Sequence, residues 1–199
     1  MTRPAEPLED TDPRRWRVLA VLAVAELLGM SLWFAGSAIA PQLRDQWALS
    51  PSQIGWLTTA VQLGFVAGTA LVAVLNVADI LPSRTLFAAA AVLGAGSNAA
   101  LLLADGFGSG VLTRFLCGFC LAGVYPPAMK MTATWFKARR GLAVGTVVGA
   151  LTVGKATPYL VHALPHASAR TIILTGSFGA IVAAALVWFG YRDGPYPFP

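Results

Sequence analysis

Hydrophobic and polar positions alternate along this chain in long blocks rather than residue by residue. Six predominantly apolar runs, at residues 18–40, 54–75, 86–103, 110–128, 141–160 and 172–189, are separated by short polar connections. A helix crossing about 30 Å of hydrocarbon needs roughly 20 apolar residues, within a range of about 17–25, and each run meets that length. A spanning sheet would instead have to close into a barrel of alternating segments of roughly 10 residues, whereas these runs are apolar all round. The pattern predicts an all-α membrane protein, a six-transmembrane-helix bundle over residues 16–191. Residues 1–15 read as a polar tail and 192–199 as the start of a linker. Ala38-Ile39-Ala40 has the form of a leader cleavage site. The apolar run before it is longer than the roughly 7–15 residues of a leader, and Pro41 follows, so the first run is kept as a spanning helix.

Composition agrees with lipid as the solvent. Of 199 residues 56% are hydrophobic and 12% charged, against roughly 45–50% and about 25% in a soluble domain. The net charge of +5 would draw nucleic acid only if gathered into one patch. Instead the basic residues segregate by loop. Arg3, Arg14, Arg15, Arg17, Arg84, Lys137, Arg139, Arg140 and Arg192 fall on one side of the predicted bundle, and Arg44 and Arg170 on the other. Short cytoplasmic loops carry the basic excess, which predicts a plasma-membrane protein with both termini cytoplasmic and no nucleic-acid partner. Trp16, Trp47, Trp56, Trp135 and Trp188 lie near predicted span ends, where amphipathic rings are favoured.

Ionisable groups inside such spans cost at least about 2.5–3.5 kcal/mol and mark functional candidates. Glu26 in the first span and Arg114 in the fourth stand out, and a salt bridge between them near mid-membrane would lower the cost of both. Helical periodicity places Glu26, Met30, Trp33 and Ser37 on one face of the first span, and Arg114, Gly118 and Tyr125 on one face of the fourth. Faces that mix charge, aromatic and hydroxyl suit a water-filled cavity or a polar helix contact. Gln62 and Asn98 are weaker candidates for the same cavity. Lys155 in the fifth span either faces it or snorkels toward water. With Arg114 and Lys155 both facing a single Glu26, the cavity would be net positive and would favour an anionic solute.

Two motif matches do not survive their context. Residues 149–155 fit the phosphate-loop spacing up to Lys155, yet they lie inside an apolar span and lack the following Ser/Thr. Gly141, Gly145 and Gly149 are better read as a small-residue row for close helix packing. Cys117 and Cys120 form a C-x-x-C inside the fourth span with no further cysteine to relay electrons, so they read as packing residues. His162 and His166 fall in a loop. No metal cluster, cofactor motif or catalytic constellation is apparent, which argues against an enzyme.

The loop between the second and third spans reads Leu75-Asn-Val-Ala-Asp79-Ile-Leu-Pro-Ser83-Arg84. The fourth span carries Arg114-Phe-Leu-Cys-Gly118, then Gly123 and Pro126-Pro127. Trp135-Phe-Lys-Ala-Arg-Arg-Gly141 leads into the glycine-rich fifth span. In register with six spans, these three stretches resemble the N-terminal half of a major facilitator superfamily transporter. Asp79 and Arg84 match a degenerate form of that family's gating-loop motif, whose two glycines and basic residue are missing here. The prolines are expected to break the inner end of the fourth helix. The chain is also loosely similar to the nitrate/nitrite porters, but its second span lacks their anion-holding arginine.

The resemblance implies secondary active transport of a small solute, with an anion as one candidate class, by alternating access between two six-helix halves. Glu26, Trp33, Gln62, Arg114, Tyr125 and Lys155 become candidates for solute binding and proton coupling. Gly118, Gly123, Gly141, Gly145 and Gly149 become candidates for helix packing. The chain then reads as a truncated half whose partners are the lipid bilayer and a second six-helix half. The alternative is a non-transporting six-helix subunit for assembly or regulation.

Overall fold

A computed structural model describes residues 12–164 and 168–196. His166 lies outside the described residues, as do parts of the tail and linker read at 1–15 and 192–199. Among the described residues ten α-helices run in the order α1 (Arg14–Met30), α2 (Leu32–Ala38), α3 (Ala40–Trp47), α4 (Pro51–Val74), α5 (Val77–Ile80), α6 (Ser83–Ala100), α7 (Phe107–Leu121), α8 (Tyr125–Ala133), α9 (Arg140–His162) and α10 (Ala169–Gly190). Together they make six helices long and apolar enough to cross a membrane: Arg14–Ala38, Pro51–Val74, Ser83–Leu103, Phe107–Ala133, Arg140–His162 and Ala169–Gly190. The fourth reaches Ala133, past the 128 read from hydropathy, because α8 continues it beyond a break. An even number of crossings brings both ends of the bundle to one side, here called the terminal face.

Local chemistry sets where these helices start and stop. Ser50 caps α4 in a reciprocal box with Gln53, satisfying two backbone donors that a helix start leaves unpaired. The Ser168 hydroxyl accepts from Thr171 N at 3.1 Å to open α10. Ala48 closes α3 in the left-handed region. The first span is interrupted at Ser31, whose hydroxyl donates to Leu28 O at 2.7 Å. The fourth is interrupted at residues 122–124, just before Pro126 and Pro127, where missing N–H groups cannot continue the ladder.

Packing is close to symmetric between the first three spans and the last three. α4 packs along α7 as α9 packs along α1, α6 meets α7 as α10 meets α1, and α6 and α10 pack on each other. Exchanging spans one with four, two with five and three with six leaves this pattern unchanged, the mark of an internal inverted repeat. The two equivalent crossings are made on glycine. A Cβ at Gly118 would collide with the Val61 carbonyl, and one at Gly154 with the Leu27 carbonyl. Gly64 and Gly68 of α4 likewise meet the backbone of Phe115 and Phe119. Without a hydrophobic driving force in lipid, such backbone approach supplies the dispersion contact that holds helices together.

The glycine row of the fifth span behaves differently from the expectation. Gly141, Gly145 and Gly149 have nothing within 4 Å of where a Cβ would stand. They lie on the exposed face of α9, while Ala143, Val147, Leu151, Gly154 and Pro158 form its buried stripe. The packing glycine of this helix is therefore Gly154. Gly123 packs as expected, against Ala90. α4 and α9 are the least buried of the six spans, and each leaves apolar side chains uncovered, among them Val66 and Val74 on α4 and Val153 and Leu160 on α9.

Candidate solute site

Where the two helix breaks face each other, the bundle encloses polar chemistry. A cavity of about 240 Å³ is lined by Met30, Trp33, Phe65, Tyr125, Leu151 and Lys155. Four spans contribute: Trp33 from just past the Ser31 break, Phe65 from α4, Tyr125 from the first turn of α8, and Lys155 from α9. Trp33 and Phe65 pack edge to face, with centroids 5.1 Å apart. Lys155 Nζ sits 5.0 Å above the Trp33 ring, within the roughly 6 Å over which a ring face attracts a cation. The cavity thus offers an aromatic wall, a phenol and one ammonium. Trp33, Tyr125 and Lys155 were all identifiable as polar or aromatic positions on helix faces.

Glu26 lies one turn below Met30 and is wholly buried. Neither carboxyl oxygen has a hydrogen-bond partner among the described residues. The charge that acts on it through space is Lys155. The expected salt bridge between Glu26 and Arg114 is not formed. Arg114 instead donates to Leu32 O at 3.2 Å, to Asn98 Oδ1 at 3.3 Å and to Trp33 O. Those carbonyls lie six or seven residues beyond Glu26, and at 1.5 Å rise per residue the height difference is about 9 Å, too far for an ion pair. Both carbonyls belong to the first turn of α2, just past the interruption at Ser31, and each accepts from the guanidinium through its second lone pair.

Arg114 accordingly does not line the cavity; it braces the broken first span from behind. A Cβ at Gly36 would stand 2.7 Å from Arg114 Nε, so the glycine makes room for the guanidinium. Asn98, also placed in the cavity by its sequence position, is buried here and donates to Ile173 O at 3.1 Å and Ser177 Oγ at 3.0 Å. It links the third, fourth and sixth spans. Gln62 is exposed and lies outside the cavity. Ser37 is tied to Thr58 across the first and second spans at 2.9 Å. Cys117 and Cys120 are free thiols, Cys117 fully buried.

Between the central cavity and the terminal face, Tyr125 also lines a second hollow with Asp79, Lys130 and Arg140. There the two residues of the gating-loop motif, Asp79 and Arg84, take separate partners. Lys130 Nζ lies 2.9 Å from Asp79 Oδ1 and 2.8 Å from Ala78 O, joining the loop after α4 to α8. Arg84 instead stacks over the Trp188 ring at 5.0 Å. Asp79 sits inside the short α5, directed at α8, and Arg84 opens α6 facing α10.

Comparison with known proteins decides the family. The profile of the Major Facilitator Superfamily matches residues 21–198. The chain belongs to the major facilitator superfamily. It is 27% identical over 184 residues to a galacturonate transporter of Dickeya chrysanthemi, covering 88% of this chain and 51% of that protein. It is 28% identical to a hexuronate transporter of Escherichia coli K12, covering 88% of this chain and 41% of that one. The chain thus spans about half the length of the curated relatives it matches. Its fold superimposes on the inward-facing, unoccupied crystal structure of a bacterial homolog to the human lysosomal transporter Spinster. The TM-score is 0.81 at 18% identity, over 94% of this chain and 45% of that one. This superfamily member is a multi-pass membrane protein whose relatives carry small solutes.

Proposed function

We propose that this chain is the N-terminal half of a secondary transporter that moves a sugar-acid anion across the bacterial inner membrane by alternating access, its termini in the cytoplasm. One observation carries the reading: Lys155 held over Trp33 in a cavity walled by Phe65 and Tyr125. A hexuronate has an apolar C–H face that packs on an indole, hydroxyls that a phenol can bond, and a carboxylate for which an ammonium is the natural partner. The galacturonate and hexuronate transporters among its relatives support this class of solute. Arginines concentrated on the terminal face support the orientation.

Glu26 carries the coupled proton in this scheme. A buried carboxyl without a hydrogen-bond partner is costly as an anion, and Lys155 is the charge that opposes it. A solute carboxylate arriving at Lys155 diverts that positive charge, so proton and anion enter together. The second six-helix half would cover the open face of α4 and α9 and close the cavity. The test is uptake of labelled galacturonate into proteoliposomes that hold this chain with a complementary half. Uptake driven by an inward proton gradient, competed by glucuronate and not by galactose, is expected. Equal competition by galactose, or uptake indifferent to the gradient, would reject the reading.

A further inference from the structure

On the terminal face, where α1 begins and α10 ends, a cavity of about 490 Å³ combines arginines with an apolar wall. Arg14, Arg17 and Arg192 supply the charge; Val18, Trp135 and Phe189 supply the wall. We infer that this cavity takes the phosphate group of an anionic membrane lipid, bridging the start of the first span and the end of the sixth.

The segment after α10 is held in place rather than trailing. Trp135 Nε1 donates to Arg192 O at 2.8 Å, Gly194 N donates to Thr134 Oγ1 at 3.1 Å, and Tyr196 N donates to Thr134 O at 3.0 Å. A Cβ at Gly194 would collide with the Thr134 carbonyl. These contacts fix the backbone from which the Arg192 side chain enters the cavity. Arg17 enters from the first turn of α1.

Charge in the cavity is partly spoken for. Arg14 pairs with Asp12 at 2.7 Å, and Asp12 is held below the usual carboxylate range by hydrogen bonds from Arg14. The Asp193 carboxylate, which also lines the cavity, accepts from the Tyr191 hydroxyl at 3.1 Å. Neither Arg17 nor Arg192 lies within 4.0 Å of a carboxylate among the described residues. Two guanidinium groups from separate elements therefore face one cavity, and a phosphate accepts both, since its oxygens match the planar donor fork.

Position selects the source of that phosphate. Phe189, 84% exposed in the last turn of α10, forms the side that runs down the apolar spans, where an acyl chain would lie. Inorganic phosphate would leave that wall unused. Basic residues at such a boundary each attract an anionic leaflet by about 1 kcal/mol.

The test is thermal unfolding of the purified full chain in dodecylmaltoside. Phosphatidylglycerol, phosphatidylcholine and inorganic phosphate are added at matched concentration. Phosphatidylglycerol is expected to raise the midpoint by about 3 °C more than phosphatidylcholine, with inorganic phosphate inactive. R17Q/R192Q should lose that difference, and K137Q/R139Q, with the same change in net charge outside the cavity, should keep it. R192Q alone, altering one exposed side chain, serves if the double variant does not fold. Equal shifts for the two lipids, or a full phosphatidylglycerol effect in R17Q/R192Q, would overturn the inference. A shift reproduced by inorganic phosphate and lost in R17Q/R192Q would support the phosphate site and overturn the lipid as its source.

Discussion

Replacing Arg114 probes whether it shapes the first span or takes part in solute chemistry. Its guanidinium donates to Leu32 O, Asn98 Oδ1 and Trp33 O, and the residue is 1% exposed. Bonds from a charged donor contribute about 1.5–3 kcal/mol each. Against three of them stands the desolvation of one buried cation, several kcal/mol even after relaxation. The net loss in Arg114→Leu is therefore about 2–4 kcal/mol, the cation's burial cost vanishing with it. Arg114→Lys is expected to be no better, because it keeps the buried charge while a shorter ammonium cannot span three acceptors. Denaturant titration in micelles, followed by far-UV circular dichroism, reads the loss. Curves within about 0.5 kcal/mol of wild type, accompanied by abolished uptake, would refute a bracing role and return Arg114 to the transport chemistry.

Glycine substitutions should split by sign. Gly118→Ala places a methyl against the Val61 carbonyl and should destabilise by about 1–3 kcal/mol. Gly149→Ala meets nothing within 4 Å and should stabilise the isolated chain by about 0.5–1 kcal/mol through helix propensity. The same unfolding titrations test both. Burial pushes the Tyr191 phenol well above its ordinary value. The folded chain keeps that proton after the unfolded chain has released its own, so this contribution is intact below about pH 10 and lost as pH rises further. A phenolate titration at 295 nm should show one late phase that Tyr191→Phe removes. Glu26→Gln is expected to leave galacturonate exchange intact while uptake loses its dependence on the proton gradient, read by flux at several external pH values.

The spans were legible because lipid imposes a length and an unbroken apolar character that water-soluble helices do not share. Lys155 was visible for the same reason, as a costly charge in hydrocarbon, and Trp33 and Tyr125 by sharing helix faces with Glu26 and Arg114. What stayed hidden were partners that are backbone or distant in the chain. Arg114 was matched to Glu26 as the other charge in the spans, whereas its acceptors include two backbone carbonyls in the first turn of α2, which no side-chain pattern announces. Lys130 reaches Asp79 across 51 positions, a relation no local spacing encodes. The regular Gly141, Gly145 and Gly149 row drew attention while the packing fell to Gly64, Gly68 and Gly154. Gly64-Phe-Val-Ala-Gly68 carries the G-x-x-x-G signal that would have found two of them.

The proposed transport depends on Lys155 as the group that holds a solute carboxylate. Galacturonate uptake by Lys155→Gln and Lys155→Arg, with a complementary half present, tests this directly. Losing a charge-assisted contact of about 1.5–3 kcal/mol should raise the galacturonate KM by roughly 10–100-fold in Lys155→Gln, while Lys155→Arg, which keeps the charge, retains most of the affinity. An unchanged KM in Lys155→Gln, or an equal loss in both variants, would contradict it.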